Sequence, residues 1–110
     1  MELAKIETFA KVQAADMGGM DMMIARCLAA AADRDIEAYY DLGVAYSTGS
    51  SGAQCDMIEA HKWFNLAASR GHEAASWCRA DVSDEMTARE ISEAQRRARE
   101  WLRGGEAQAA

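Results

Sequence analysis

Two eight-residue stretches constrain this chain more than anything else in it: AADRDIEA, from Ala31 to Ala38, and AASRGHEA, from Ala67 to Ala74, thirty-six residues apart. The same displacement lays Ile24, Cys27, Leu28, Ala31 and Ala32 on Ala60, Trp63, Phe64, Ala67 and Ala68, so an entire apolar stripe at helical spacing repeats in register. Alanine makes up more than a fifth of the chain, so matched alanines weigh little. The stripe and the pairs Arg34/Arg70 and Glu37/Glu73 carry the case. A displacement of thirty-four lays Glu59-Ala60 on Glu93-Ala94, Phe64 on Ala98 and Ala67-Ala68 on Trp101-Leu102, a third copy with a loop two residues shorter. A period in the mid-thirties marks two-helix units that cannot bury their apolar faces alone and become stable by stacking, typically in threes or more.

Composition agrees with helices. The chain has no proline and no Val/Ile/Thr-rich alternation, and its 110 residues suit one domain. The periodicity predicts an all-α fold with helices over residues 2–15, 21–32 and 36–48, then one capped by Asp56, one over about 72–82 and one from Thr87. The Met17-Gly18-Gly19 break and the GSSG loop at residues 49–52 separate them. Glu59 is placed to close a capping box with Asp56, and Glu90 with Thr87, where Met86 and Ile91 stand at the staple positions. Gly71 is placed as a helix stop. The expected domain covers residues 1–103, in units of about 1–36, 37–72 and 73–102, with a frayed tail at 104–110.

The central unit, EAYYDLGVAYSTGSSGAQCDMIEAHKWFNLAASRGH, carries Ala38, Leu42, Gly43, Tyr46, Gly49, Gly52, Asp56, Ala60, Trp63, Ala67, Ala68 and Gly71 at a recognisable spacing. It resembles the Sel-one-like repeat family, relatives of the tetratricopeptide repeats. The resemblance implies a short α-α superhelix of about three helix-turn-helix repeats, acting as a protein-binding adaptor. The residues also have reasons of their own. Glycine inside a helix costs about 1 kcal/mol against alanine, so Gly43 implies a neighbour too close for a Cβ. Ala60, Ala67 and Ala68 allow the same approach, and Trp63 and Tyr46 fill the remaining space. The flanking units depart from the pattern: Arg79 stands at the glycine position of the third, Cys78 at the leucine, Val82 at the tyrosine and Arg97 at the tryptophan, while Ile6 and Glu7 occupy the leucine and glycine positions of the first. Terminal repeats with one face in water are expected to differ in this way.

In such superhelices the first helix of each pair lines a concave face. Its candidates are Lys5 and Thr8, then Tyr40, Asp41 and Val44, then Trp77 and Ala80. Trp77 and Tyr40 are large residues of the types enriched at binding hot spots. An alternative has Trp77 covering the short third unit and Tyr40 packing between helices.

Residues 1–85 carry seven basic and fourteen acidic side chains, which disfavours nucleic acid as a partner of the main body. No window reaches the roughly 20 apolar residues of a membrane span, and the first residues lack a secretory pattern. Three cysteines without a C-x-x-C pair suit a reducing, cytoplasmic setting. The arginines of the last helix, Arg89, Arg96, Arg97, Arg99 and Arg103, alternate with Glu90, Glu93 and Glu100, as on a solvated capping helix. An arginine patch for an acidic protein is the alternative. The methionines of MGGMDMM read as gap fillers. Cys55 with His61, or with Asp56 and Glu59, matches no nucleophile or zinc pattern, GSSG lacks a phosphate-loop lysine, and His72 reads as a loop residue. The chain is therefore expected to be a cytoplasmic adaptor, not an enzyme, that needs no cofactor or metal. It would bind a protein or peptide through Tyr40, Asp41, Val44 and Trp77, as a monomer or weak homo-oligomer. The second reading is a structural protein whose repeat ends stack on one another.

Overall fold

In the computed structural model, which describes residues 22–50 and 52–109, every described element is helical: α1 (Met22–Ala32), α2 (Ile36–Thr48), α3 (Met57–Ser69), α4 (Glu73–Ser83) and α5 (Ala88–Ala109). The helix expected over 2–15 lies outside the described residues, as do Lys5, Thr8, Met17 and Met20. Met22 and Met23 open α1 largely exposed, so they are not the gap fillers expected. The last helix continues through Gly104 to Ala109.

Side chains start each helix from α2 onward. Asp35 accepts from the Glu37 and Ala38 amides at the head of α2, and Asp56 from those of Ile58 and Glu59 at the head of α3. Thr87 and Glu90 close a full capping box: the Glu90 amide donates to Thr87 Oγ1 at 3.1 Å and the Thr87 amide to Glu90 Oε1 at 2.9 Å. The box expected between Asp56 and Glu59 does not form. The Asp56 amide donates instead to the Tyr46 carbonyl at 2.9 Å, and the Glu59 carboxylate is taken by Lys62 and Arg97. His72 is no plain loop residue either, because its Nδ1 accepts from the Ala75 amide at 3.1 Å and caps α4.

The two joints that look alike in the sequence are alike in backbone, but one residue out of step with the residue match. At the first, the amides of Asp33, Arg34 and Asp35 donate to the carbonyls of Ala30, Ala31 and Ala30; at the second, those of Arg70, Gly71 and His72 donate to Ala67, Ala68 and Ala67. The joint hydrogen bonds, the caps Asp35 and His72, and the starts of α2 and α4 therefore all recur at thirty-seven residues, not thirty-six. In this register the buried Ala38 and Ala45 of α2 correspond to the buried Ala75 and Val82 of α4. Alanine, not Arg79, then stands at the glycine position of α4, at Ala80. Matched residue types misled by one place because helix ends are set by hydrogen bonding rather than by side-chain identity. A consequence is that Arg34, with φ 64°, holds the left-handed position that Gly71 holds with φ 96°. Left-handed backbone is costly for a side chain with a Cβ. Arg34→Gly is expected to stabilise the fold by about 1 kcal/mol, read as a rise in the urea midpoint at unchanged slope.

Helix α3 lies at the centre. Successive helices pack on one another from α1 to α4, and α5 turns back onto α3 rather than onto α4 beside it in the chain. Contact on several sides explains why Ala60, His61, Trp63, Phe64, Leu66 and Ala67 are all buried on one helix. The Phe64 ring fills the space above Gly43, where an added Cβ would come within 2.5 Å of its Cδ1 atom. Trp63 stacks on Tyr39 at 5.9 Å and meets Trp101 of α5 edge-on at 5.0 Å. Beside the two tryptophans, Arg97 Nη1 donates to Glu59 Oε2 at 2.7 Å, and Lys62 lies 4.1 Å above the Trp63 ring. Arg97, which replaces the tryptophan of the pattern, thus ties α5 to α3 by charge where an aromatic ring would do so by area.

Candidate functional site

The first-of-pair helices α2 and α4 touch each other over α3, and the surface between them is the most apolar open region to which they contribute. Val44 from α2, Met57 and Phe64 from α3, and Cys78 and Val82 from α4 floor a hollow of about 340 Å³, edged by Ser47, Thr48, Asp81 and Glu85. Cys78 is shared with a shallower hollow of about 500 Å³, bounded by Glu73, Ala74 and Trp77. Trp77 is 72% exposed, the most open large apolar side chain among the described residues.

The four residues expected to contact a partner fall in different places. Val44 is in the floor and Trp77 stands at the edge, linked through Cys78. Tyr40 is half-buried, and its ring is already used: it stacks on His72 at 4.4 Å and 15°, and leans on Phe64 at 5.9 Å. Packing between helices, the alternative for Tyr40, describes its position. Cys78 beside it, and then burial, push the Tyr40 phenol above its ordinary pKa. Because His72 Nδ1 accepts from an amide, Nε2 carries the imidazole proton and faces Glu37 Oε2 at 3.1 Å. Asp41 is half-buried next to this group, and its pKa is raised first by burial and then by Glu37 and Asp35, with His72 opposing. Its carboxylate sits in a negative neighbourhood.

Scans of protein-family models, curated proteins and solved structures each find no match to this chain. The surface must therefore be read from its own chemistry.

Sequence reasoning overlooked Phe64, Cys78 and Val82, which it assigned to packing alone, and the acidic edge of Glu73, Asp81 and Glu85. Spacing was the available signal. Glu73, Trp77, Asp81 and Glu85 recur every fourth residue, and the thirty-seven-residue register sets Trp77 one unit on from Tyr40.

The other candidates have structural partners. The Cys55 thiol donates to the Ser47 carbonyl at 3.6 Å, while His61 is buried on α3 with its pKa lowered by burial and then by Arg79. Among the described residues no three His, Cys, Asp or Glu side chains are grouped to hold a metal ion, and no helix is long and apolar enough to cross a membrane. On α5, Arg96 and Arg97 both bond to Glu93, holding its carboxyl at about 2, and Arg96 also pairs with Glu100. Arg89, Arg99 and Arg103 are exposed.

Proposed function

We propose that this chain is a cytoplasmic helical-repeat adaptor of the Sel-one-like type, a short α-α superhelix that binds a protein or peptide across α2 and α4 and performs no chemistry. Two structural features support the repeat reading: the joints recur at thirty-seven residues, and Gly43 admits the ring of Phe64. The observation that carries the binding reading is Trp77. An indole 72% exposed beside an apolar hollow leaves surface in water that a partner can cover. Burying most of a tryptophan is worth about 2–4 kcal/mol at the usual area coefficient. Tyr40 holds the floor in place, and Val44 and Trp77 make the contact.

The test is a peptide-display selection on the whole chain with counter-selection on Trp77→Ala. Peptides that bind the wild type at least tenfold more tightly than Trp77→Ala, about 1.4 kcal/mol, are the expected result. Enriched peptides that bind both proteins equally would place the binding surface elsewhere. The second reading, self-association through the repeat ends, draws on the exposure of Met22 at the start of α1. It predicts a sedimentation coefficient that rises with concentration, and a strict monomer removes it.

A further inference from the structure

We infer that the occupant of the α2–α4 face is a basic segment, with lysine or arginine on either side of an apolar residue that packs on Trp77. The inference rests on reading this face as a docking surface and adds the chemistry of the partner. Its basis is the distribution of charge. Helix α2 carries Glu37 and Asp41 and no cation; α4 carries Glu73 and Asp81, and Asp84 and Glu85 follow it. The one cation of α4, Arg79, is turned into the molecule, where its Nη1 donates to Asn65 Oδ1 of α3 at 2.6 Å. The residues bounding the two hollows include Glu73, Asp81 and Glu85 and no basic side chain. All three acids are exposed, so each keeps its charge available to a partner.

The acids and the indole also lie in line. Glu73, Trp77 and Asp81 are four residues apart, hence on one face of α4, with about 6 Å of helix between successive members. The stripe therefore reads acid, aromatic, acid over about 12 Å. Its complement is a cation, an apolar group and a cation at the same separation. Such a segment can be a helix with its charges about eight residues apart, or an extended strand with them about four apart. A cation near Trp77 can also lie over the indole face. An acidic or phosphate-bearing partner would meet like charge along the whole stripe, in a region where Asp41 is already disfavoured as an anion by burial, Glu37 and Asp35.

The experiment uses the whole chain and a random display library of peptides roughly twelve residues long, enough to span the stripe in either form. Peptides that depend on Trp77 are sorted by net charge and remeasured against Asp81→Lys/Glu85→Lys, two exposed positions whose variant is checked for wild-type helicity. Expected are winners rich in lysine and arginine, weakened about tenfold by the charge reversal and severalfold by raising the salt from about 0.05 to 0.3 M. Trp77-dependent winners that are neutral or acidic, or indifferent to both the reversal and salt, would overturn the basic partner and leave the docking surface standing. The absence of any Trp77-dependent winner would overturn both. Binding of a second copy through the exposed arginines of α5 would appear as concentration-dependent sedimentation abolished by Asp81→Lys/Glu85→Lys, and would assign the basic segment to this chain itself.

Discussion

Gly43→Leu is expected to destabilise the fold by about 3 kcal/mol or more, and so to lower Tm by roughly 12 °C or more. The cause is local. A Cβ at residue 43 would lie 2.5, 2.6 and 2.9 Å from three atoms of the Phe64 ring. That ring is 1% exposed and held by α3 at the centre of the molecule, so it has nowhere to move. Gly43→Ala sets two effects in opposition: alanine gains about 1 kcal/mol of helix propensity, and the clash costs about 1–3 kcal/mol. A net loss is expected in a urea melt. Combining Gly43→Ala with Phe64→Leu, which removes ring atoms from the contact, should cost clearly less than the sum of the two single changes. Additive effects, or a stabilised single alanine variant, would show that the ring does not limit the approach of α2 to α3.

Trp63→Ala has the other large expected effect, a loss of about 3–5 kcal/mol. Trp63 is 1% exposed and joins three parts of the core: it stacks on Tyr39 of α2, meets Trp101 of α5 edge-on, and lies under Lys62. Its removal should loosen α5 in particular, since that helix is held chiefly by α3. Limited trypsin digestion should then cut first at Arg96, Arg97, Arg99 or Arg103, before the sites in α1–α4 open. Trp63→Phe is expected to cost much less. It keeps a ring between Tyr39 and Trp101, and it removes the Trp63 Nε1 donor, which is buried without a hydrogen-bond partner. Equal losses for alanine and phenylalanine would show that indole shape, rather than buried ring area, governs this position.

The helical character, the ends of α2 and the capping box at Thr87 were legible in the residues alone, because these features arise within a few residues of chain. Periodicity marks the faces, Asp35 and Thr87 satisfy free amides, and Gly71 takes a left-handed backbone where α3 ends. Gly43 could be singled out because a glycine inside a helix needs a reason, although the sequence did not point to Phe64 as the neighbour. The candidate face was half legible. Trp77 and Val44 stood out by type and position, but Tyr40 looks the same in sequence whether its ring meets solvent or stacks on His72.

What needed three dimensions was everything that depends on the relative placement of helices. The residue match suggests a period of thirty-six, while hydrogen bonds at the joints set thirty-seven and assign the left-handed position to Arg34. Glu59, a local capping partner by spacing, reaches instead across to Arg97, thirty-eight residues away. Arg79 disappears into a contact with Asn65 and leaves an acidic stripe with Trp77 in its middle. Local hydrogen bonding and periodicity act within about one helical turn, so residue order alone specifies helices and their caps. Which charges remain unpaired, and which aromatic remains in water, is settled only when α2, α4 and α5 have taken their places around α3.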